Sequence, residues 1–210
     1  MPETVLNIAA TCVGTRALGP GYRSAVWVQG CKLHCPGCIS PEWIPQVPNQ
    51  LFSVDALAEY LVHDPKIDGI TISGGEPMLQ AGGLAELLVR IRELSEVNVI
   101  CFSGYRYESL LTNPPSDKVE DFLSQIDLMI DGPYIQSMNE TIGLRGSSNQ
   151  PFIHLTGKLS SVEFAASPRR IEYRVREGEL MMVGVPPKHI TEKVDQTIQT
   201  AVKEGLYVRT

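Results

Sequence analysis

No stretch of this 210-residue chain approaches the roughly eighteen uninterrupted apolar residues of a membrane-spanning helix, so the sequence gives no sign of one. Positive charge is also scarce. Eighteen Lys and Arg stand against 24 Asp and Glu, for a net charge of −6, and no run of Lys or Arg exceeds two residues. Without a basic patch there is no electrostatic footprint for a polyanion, and nucleic acid is not an expected partner. The start Met1-Pro2-Glu3-Thr4 lacks the basic region and apolar core of a secretory leader, so the expected location is the cytoplasm. Internal repeats and low-complexity tracts are missing too. The length suits one domain with a full core and is short for two, so residues 1–210 are expected to fold as one.

Cysteine is sparse, with five residues, an odd number. Three of them crowd into Gly30-Cys31-Lys32-Leu33-His34-Cys35-Pro36-Gly37-Cys38, a spacing that reads as metal ligation in a reducing compartment rather than a disulfide framework. The loop follows the apolar run Ala25-Val26-Trp27-Val28 and contains Gly and Pro, so it hangs from the end of a strand. A C-x3-C-x2-C loop brings three thiolates to one small inorganic object. A cubane iron–sulfur cluster takes four ligands, so three local cysteines leave one iron open. Two other readings stand beside this one. Cys31, His34, Cys35 and Cys38 have the composition of a Cys3His zinc site. Alternatively, Cys12 or Cys101 supplies a fourth thiolate and closes the cluster.

Along the chain, residues 4–11 read as a strand and Leu18-Gly19-Pro20-Gly21 as a turn, with Tyr22 to Gln29 returning as the strand that delivers the cysteines. Pro41, Pro45 and Pro48 keep the next segment irregular. Ser53 is placed as the N-cap of a helix ending at His63-Asp64-Pro65. Residues 68–73 form a strand running into Gly74-Gly75-Glu76-Pro77, and 83–95 a helix. The rhythm repeats with a strand at 97–102, a helix at 117–125 and a strand at 127–131. Alternating strands and helices predict an α/β fold with a predominantly parallel sheet, whose ligands gather at the carboxyl ends of the strands. The loops beginning at Gly30, Ser73, Ser103 and Asp131 are therefore expected to line one site. Residues 136–150 form a long polar loop of the functional kind. A hairpin over 171–175 and 180–185, turning at Glu177-Gly178-Glu179, and an amphipathic helix over 188–203 complete the expectation.

The cysteine loop followed by a strand ending in Ser73-Gly74-Gly75-Glu76-Pro77 resembles the radical S-adenosylmethionine superfamily. Gly19-Pro20-Gly21-Tyr22-Arg23, Val28-Gln29-Gly30-Cys31, Pro36-Gly37-Cys38, Asp131-Gly132-Pro133 and Arg145-Gly146-Ser147-Ser148-Asn149-Gln150 are similar to the glycyl-radical-enzyme activases, above all those of anaerobic ribonucleotide reductase. The resemblance covers residues 1–155; 156–210 would be a C-terminal extension packed on that core. It implies a partial (β/α) barrel in which Cys31, Cys35 and Cys38 bind a [4Fe-4S] cluster whose fourth iron is chelated by S-adenosylmethionine. Gly74, Gly75 and Glu76 would hold the methionine end, mainly through backbone atoms. Gly37, Ile39 and Ser73 would flank the cofactor, Ser103, Met129 and Asp131 would sit near its carboxylate and ribose, and Arg145 would pair a carboxylate of S-adenosylmethionine or of a partner, or anchor its own loop. The implied partners are a glycyl radical enzyme and a low-potential donor such as flavodoxin or ferredoxin. The sequence departs from many superfamily members in having Gly37 before the last cysteine and Ile39-Ser40 after it. That leaves radical modification of a peptide or small molecule as an alternative, with a zinc-stapled interaction domain as a non-enzymatic one.

Overall fold

The computed structural model describes residues 3–176 and 179–187, together with positions 190, 196 and 200. Two strands, β1 (Val5–Thr15) and β2 (Arg23–Val28), pair antiparallel, and all six residues of β2 are buried. A strand covered on both faces belongs at the centre of an α/β sheet. The short edge strand β3 (Gln50–Ser53) pairs antiparallel with β1. Beyond it come α1 (Val54–Leu61), β4 (Gly69–Gly74), α2 (Ala81–Leu94), β5 (Asn98–Ser103), α3 (Tyr107–Thr112), α4 (Val119–Leu123), β6 (Leu128–Asp131) and β7 (Phe152–His154). The seven strands lie in the order β3-β1-β2-β4-β5-β6-β7. The pairs β2·β4, β4·β5 and β5·β6 are parallel and β6·β7 is antiparallel, so only β1 and β7 run against the rest.

The alternation of side chains along each strand separates two apolar layers. On one face Ile70 and Ile72 of β4, Val99 and Cys101 of β5 and Met129 of β6 meet the buried stripes of α1 and α2. Ser53 caps α1, its hydroxyl accepting from the Ala56 N–H at 3.4 Å. On the other face Ala25 and Trp27 of β2, Ile100 of β5, and Leu128 and Ile130 of β6 pack with Leu159, Phe164, Val183 and Val185. The last two come from a separate antiparallel hairpin, β8 (Ile171–Arg176) with β9 (Glu179–Gly184), and from the residue after it.

Arg23 fastens the foot of the parallel strands. Its side chain is fully buried, with Nε donating to Thr71 Oγ1 at 2.8 Å, Nη1 to Asn98 Oδ1 at 2.6 Å and Nη2 to the Ile70 carbonyl at 2.7 Å. Burial, partly offset by Asp68 and Asp127, pushes its pKa down to about 9.

The five strands, the three helices and the hairpin read from the sequence are present, with β1 ending four residues later than expected because irregular register steps let it continue to Thr15. The sequence reading did not include β3, β7 and α3, which have four, three and six residues and carry too short a periodicity to stand out. The tip Glu177-Gly178 and the helix expected over 188–203 lie outside the described residues, apart from the isolated positions named above. What the described strands establish is a mixed sheet with α1 to α4 on one face.

Candidate cluster and cofactor site

β2 ends at Val28, and the cysteine loop leaves from its carboxyl end. Gly30 N donates to the Trp43 carbonyl and Cys31 N to the Ile44 carbonyl, each at 2.9 Å, so the 3-10 turn Pro41–Trp43 clamps the loop's root. Gly30 and Gly37 take φ of 98° and 72°, where glycine is the least strained residue, and His34 takes 47°. These left-handed positions turn the chain tightly enough to bring three thiols to one side. The Cys38 amide closes the turn on the Cys35 carbonyl at 3.1 Å, and Leu33 N donates to Cys31 Sγ at 3.4 Å.

The end of β4 is stitched to this loop. Gly75 N donates to the Val28 carbonyl at 2.7 Å and Glu76 N to the Gly30 carbonyl at 2.9 Å. A Cβ on Gly75 would run into the Gly30 and Trp43 carbonyls, so the paired glycines are required by close backbone approach. The Glu76 side chain, with no exposed surface, turns inward to brace β5. Its Oε1 accepts from Met78 N at 3.0 Å and Ser103 Oγ at 2.9 Å, and its Oε2 from Gly104 N at 2.8 Å. Burial raises its pKa to about 7 against the lowering effect of those three donors.

A cleft of about 1000 Å³, open to solvent, lies over the carboxyl ends of β2, β4, β5 and β6. Nine residues singled out from the sequence line it: Cys31, Cys35, Cys38, Ile39, Ser73, Gly74, Gly75, Glu76 and Ser103. Four do not. Gly37 turns its Cα toward Gln136, whose side chain a Cβ would meet. Met129 has the parity of Cys101 and points into the helix-side layer, away from the cleft. Asp131 is buried, and its Oδ2 accepts from Tyr107 N at 2.6 Å, fixing the start of α3; burial raises its pKa against that bond. Arg145 spans its own loop, 3.3 Å from both Glu140 Oε2 and the Gln150 carbonyl, with its guanidinium over the Phe152 ring. Of its two sequence readings, loop anchoring is the one these contacts fit.

The cleft also recruits residues that the sequence reading had not assigned to the site. Trp27 and Phe102 form apolar walls, and their strand parity was the available signal. Gly146 and Gln150 come from the long polar loop, with Gln150 Nε2 donating to the Gly132 carbonyl at 2.7 Å. Gly184 and Val185 come from the end of the hairpin, and nothing local in the sequence marks them.

All five cysteines are free. Burial raises the thiol pKa of Cys31, countered in part by the Leu33 N–H, and raises that of Cys38. Cys12 and Cys101 are buried in the two apolar layers and do not line the cleft, so neither completes the ligand set of the loop. His34 does border it. The three thiols are the soft donors that an iron–sulfur cluster or a zinc ion takes, and all three border the cleft.

Comparison with known proteins decides the family. Residues 17–153 match the family model described as a 4Fe-4S single cluster domain. The anaerobic ribonucleoside-triphosphate reductase-activating protein of Escherichia coli K12 is 31% identical over 146 residues, 65% of this chain and 91% of the relative. This chain belongs to the 4Fe-4S single cluster family, among the radical S-adenosylmethionine activating proteins. Enterobacteria phage T4 carries a reductase-activating protein 28% identical over 137 residues, 63% of this chain and 83% of that one. The pyruvate formate-lyase-activating enzyme of Staphylococcus aureus USA300 is 38% identical over 81 residues, 36% of this chain and 32% of the enzyme. Family membership brings a [4Fe-4S] cluster and S-adenosylmethionine as cofactors, and the residues here fit both. The three cysteines are the soft donors of one loop, and the Gly74-Gly75 bend beside them borders the same cleft without a side chain in the way.

Proposed function

We propose that this protein is a radical S-adenosylmethionine enzyme that activates a partner protein by taking hydrogen from one of its glycines. The observation that carries the reading is the convergence of the three-cysteine loop with the Gly74–Glu76 bend and the β5 and β6 exit loops on one open cleft. The names and extent of the matched relatives support it. Bound there, the two cofactors together supply a reductive cleavage that gives methionine and a 5'-deoxyadenosyl radical competent to abstract hydrogen. Cys31, Cys35 and Cys38 hold the cluster and leave one iron to the second cofactor. Gly74 and Gly75 present backbone groups to its methionine end, and Ile39, Ser73 and Ser103 border it. Glu76 fixes the bend through Met78, Ser103 and Gly104 rather than meeting the ligand itself. Met129, Asp131 and Arg145 act one step back, through β6, α3 and the 136–150 loop. Trp27 and Phe102 give the cleft apolar walls.

In this reading the sheet is the wall of a partial (β/α) barrel, short of the roughly 250 residues of a full one, with an open mouth for a protein loop to enter. Residues 156–210 are an extension whose described part, through Leu159, Phe164, Val183 and Val185, packs on the 1–155 core. The partner is a glycyl radical enzyme, the electron donor is flavodoxin or ferredoxin, and the reaction runs in the cytoplasm. The test is anaerobic: cluster-loaded protein, reductant, S-adenosylmethionine and each candidate partner are mixed and examined by electron paramagnetic resonance. A glycyl radical signal is expected with one of them. Cofactor cleavage without such a signal on any partner would move the function to a peptide or small molecule.

A further inference from the structure

A second cavity, of about 840 Å³, opens near the foot of the sheet between the β1–β2 turn, the 143–144 segment and the 162–170 segment. Three arginines, Arg16, Arg169 and Arg170, line it, and no Asp or Glu does so among the described residues. In a chain carrying six more acids than bases this is an unusual concentration of one sign. Among the described residues, no nearby carboxylate pairs with the guanidinium of Arg16, Arg169 or Arg170. Glu172 accepts from Arg16 N at 2.8 Å and from Arg174 at 2.7 Å, Asp68 from Tyr22 N at 2.8 Å, Glu163 from Ala165 N at 3.2 Å, and Glu140 from Arg145 at 3.3 Å.

The three cations differ in freedom. Arg169 is fixed, donating to Asn139 Oδ1 at 2.7 Å and to the carbonyls of Arg145, Gly143 and Pro186 at 2.7, 3.2 and 3.1 Å; it supplies positive charge without reaching. Arg16 and Arg170 are exposed and form no ion pair among the described residues, and Arg16 is steadied over the Tyr22 ring at 5.4 Å. Leu144, Val162, Phe164 and Val185 give the cavity an apolar side. Guanidinium forks match phosphate oxygens two at a time, and a half-open hollow with an apolar side suits a small molecule. We propose that this cavity binds a phosphate-bearing small molecule, gripped by Arg16 and Arg170 against the fixed charge of Arg169. Val185 lines both this cavity and the cofactor cleft, so an occupant would press on the wall they share.

The test is equilibrium binding to cluster-loaded protein saturated with S-adenosylmethionine, so that the first cleft is already filled. Probes are inorganic phosphate, inorganic triphosphate, adenosine triphosphate and adenosine. Saturable binding of the triphosphates is expected, weakening at least tenfold in the double variant Arg16→Ala with Arg170→Ala at unchanged iron content, with no binding of adenosine. Adenosine triphosphate binding tighter than triphosphate would place a nucleoside on the apolar side; equal affinity would assign the grip to phosphate alone. Absence of saturable binding by every phosphate probe, undiminished affinity in the double variant, or stronger competition by an acidic peptide than by any phosphate overturns the proposal. The site stands on its own geometry, so these outcomes leave the glycyl radical measurement untouched.

Discussion

Glu76 carries two duties that its place in a Gly-Gly-Glu-Pro bend does not reveal. It holds three donors from two loops, and burial raises its pKa from 4.5 to about 7 against their lowering effect. A carboxyl group whose pKa is higher folded than unfolded favours folding while protonated, and that contribution fades as pH rises through the folded value. Stability from this group should therefore fall between about pH 4.5 and pH 7 and stay level above, by up to about 3 kcal/mol. In Glu76→Gln the slope should vanish, while the amide turns an N–H toward a backbone N–H and costs about 1–3 kcal/mol. Urea unfolding at pH 5 and pH 8 checks both; parallel pH profiles for the two proteins would refute the assignment. At the same scale, Cys31→Ala, Cys35→Ala and Cys38→Ala should each lose the iron of the reconstituted protein, about four per chain in the parent. Cys12→Ala and Cys101→Ala should retain it, because both side chains sit in apolar layers away from the cleft. Iron and sulfide analysis after anaerobic reconstitution separates the two groups.

Among the elements, what the sequence made legible was whatever repeats over enough residues or breaks the chain sharply. The stripe of α2 and the runs of β2, β4, β5 and β6 announce themselves by period, and the cysteine and Gly-Gly-Glu loops by composition. The small elements do not, because four residues of β3 or three of β7 hold position through the strand beside them rather than through their own pattern. Likewise, Met129 falls on the far side of its strand because the face is set by where the helices pack, which a four-residue buried run does not disclose. Arg23 shows how far one side chain reaches across elements. It ties β2 to β4 and β5 from a site without solvent, so Arg23→Lys leaves buried acceptors on Thr71, Asn98 or Ile70 unmatched by a fork. The expected cost is about 2–4 kcal/mol, read as a lower urea midpoint with unchanged slope, since the surface exposed on unfolding is the same. A shift under about 0.5 kcal/mol would mean the guanidinium is replaceable there.

At the scale of the whole molecule, the family match ends at residue 153, yet the apolar layer beneath the cleft does not. Leu159, Phe164, Val183 and Val185 are each no more than 8% exposed and pack in the same cluster as Trp27, Ile100 and Ile130. Burying one such side chain is worth roughly 1.5–3 kcal/mol as an upper bound, so the four together approach the 5–15 kcal/mol that holds an ordinary domain. Removing residues 156–210 should therefore do more than reshape a substrate pocket. The truncated chain is expected to lose cooperative unfolding and to take up little iron, even though all three cysteines remain. Val185→Ala keeps the chain whole and removes only two methyl groups from the wall common to both cavities, costing about 1–3 kcal/mol and leaving iron content intact. If the truncated protein instead unfolds cooperatively and loads a full cluster, the 156–210 segment is an accessory, and the wall it lends the cleft concerns only which substrate enters.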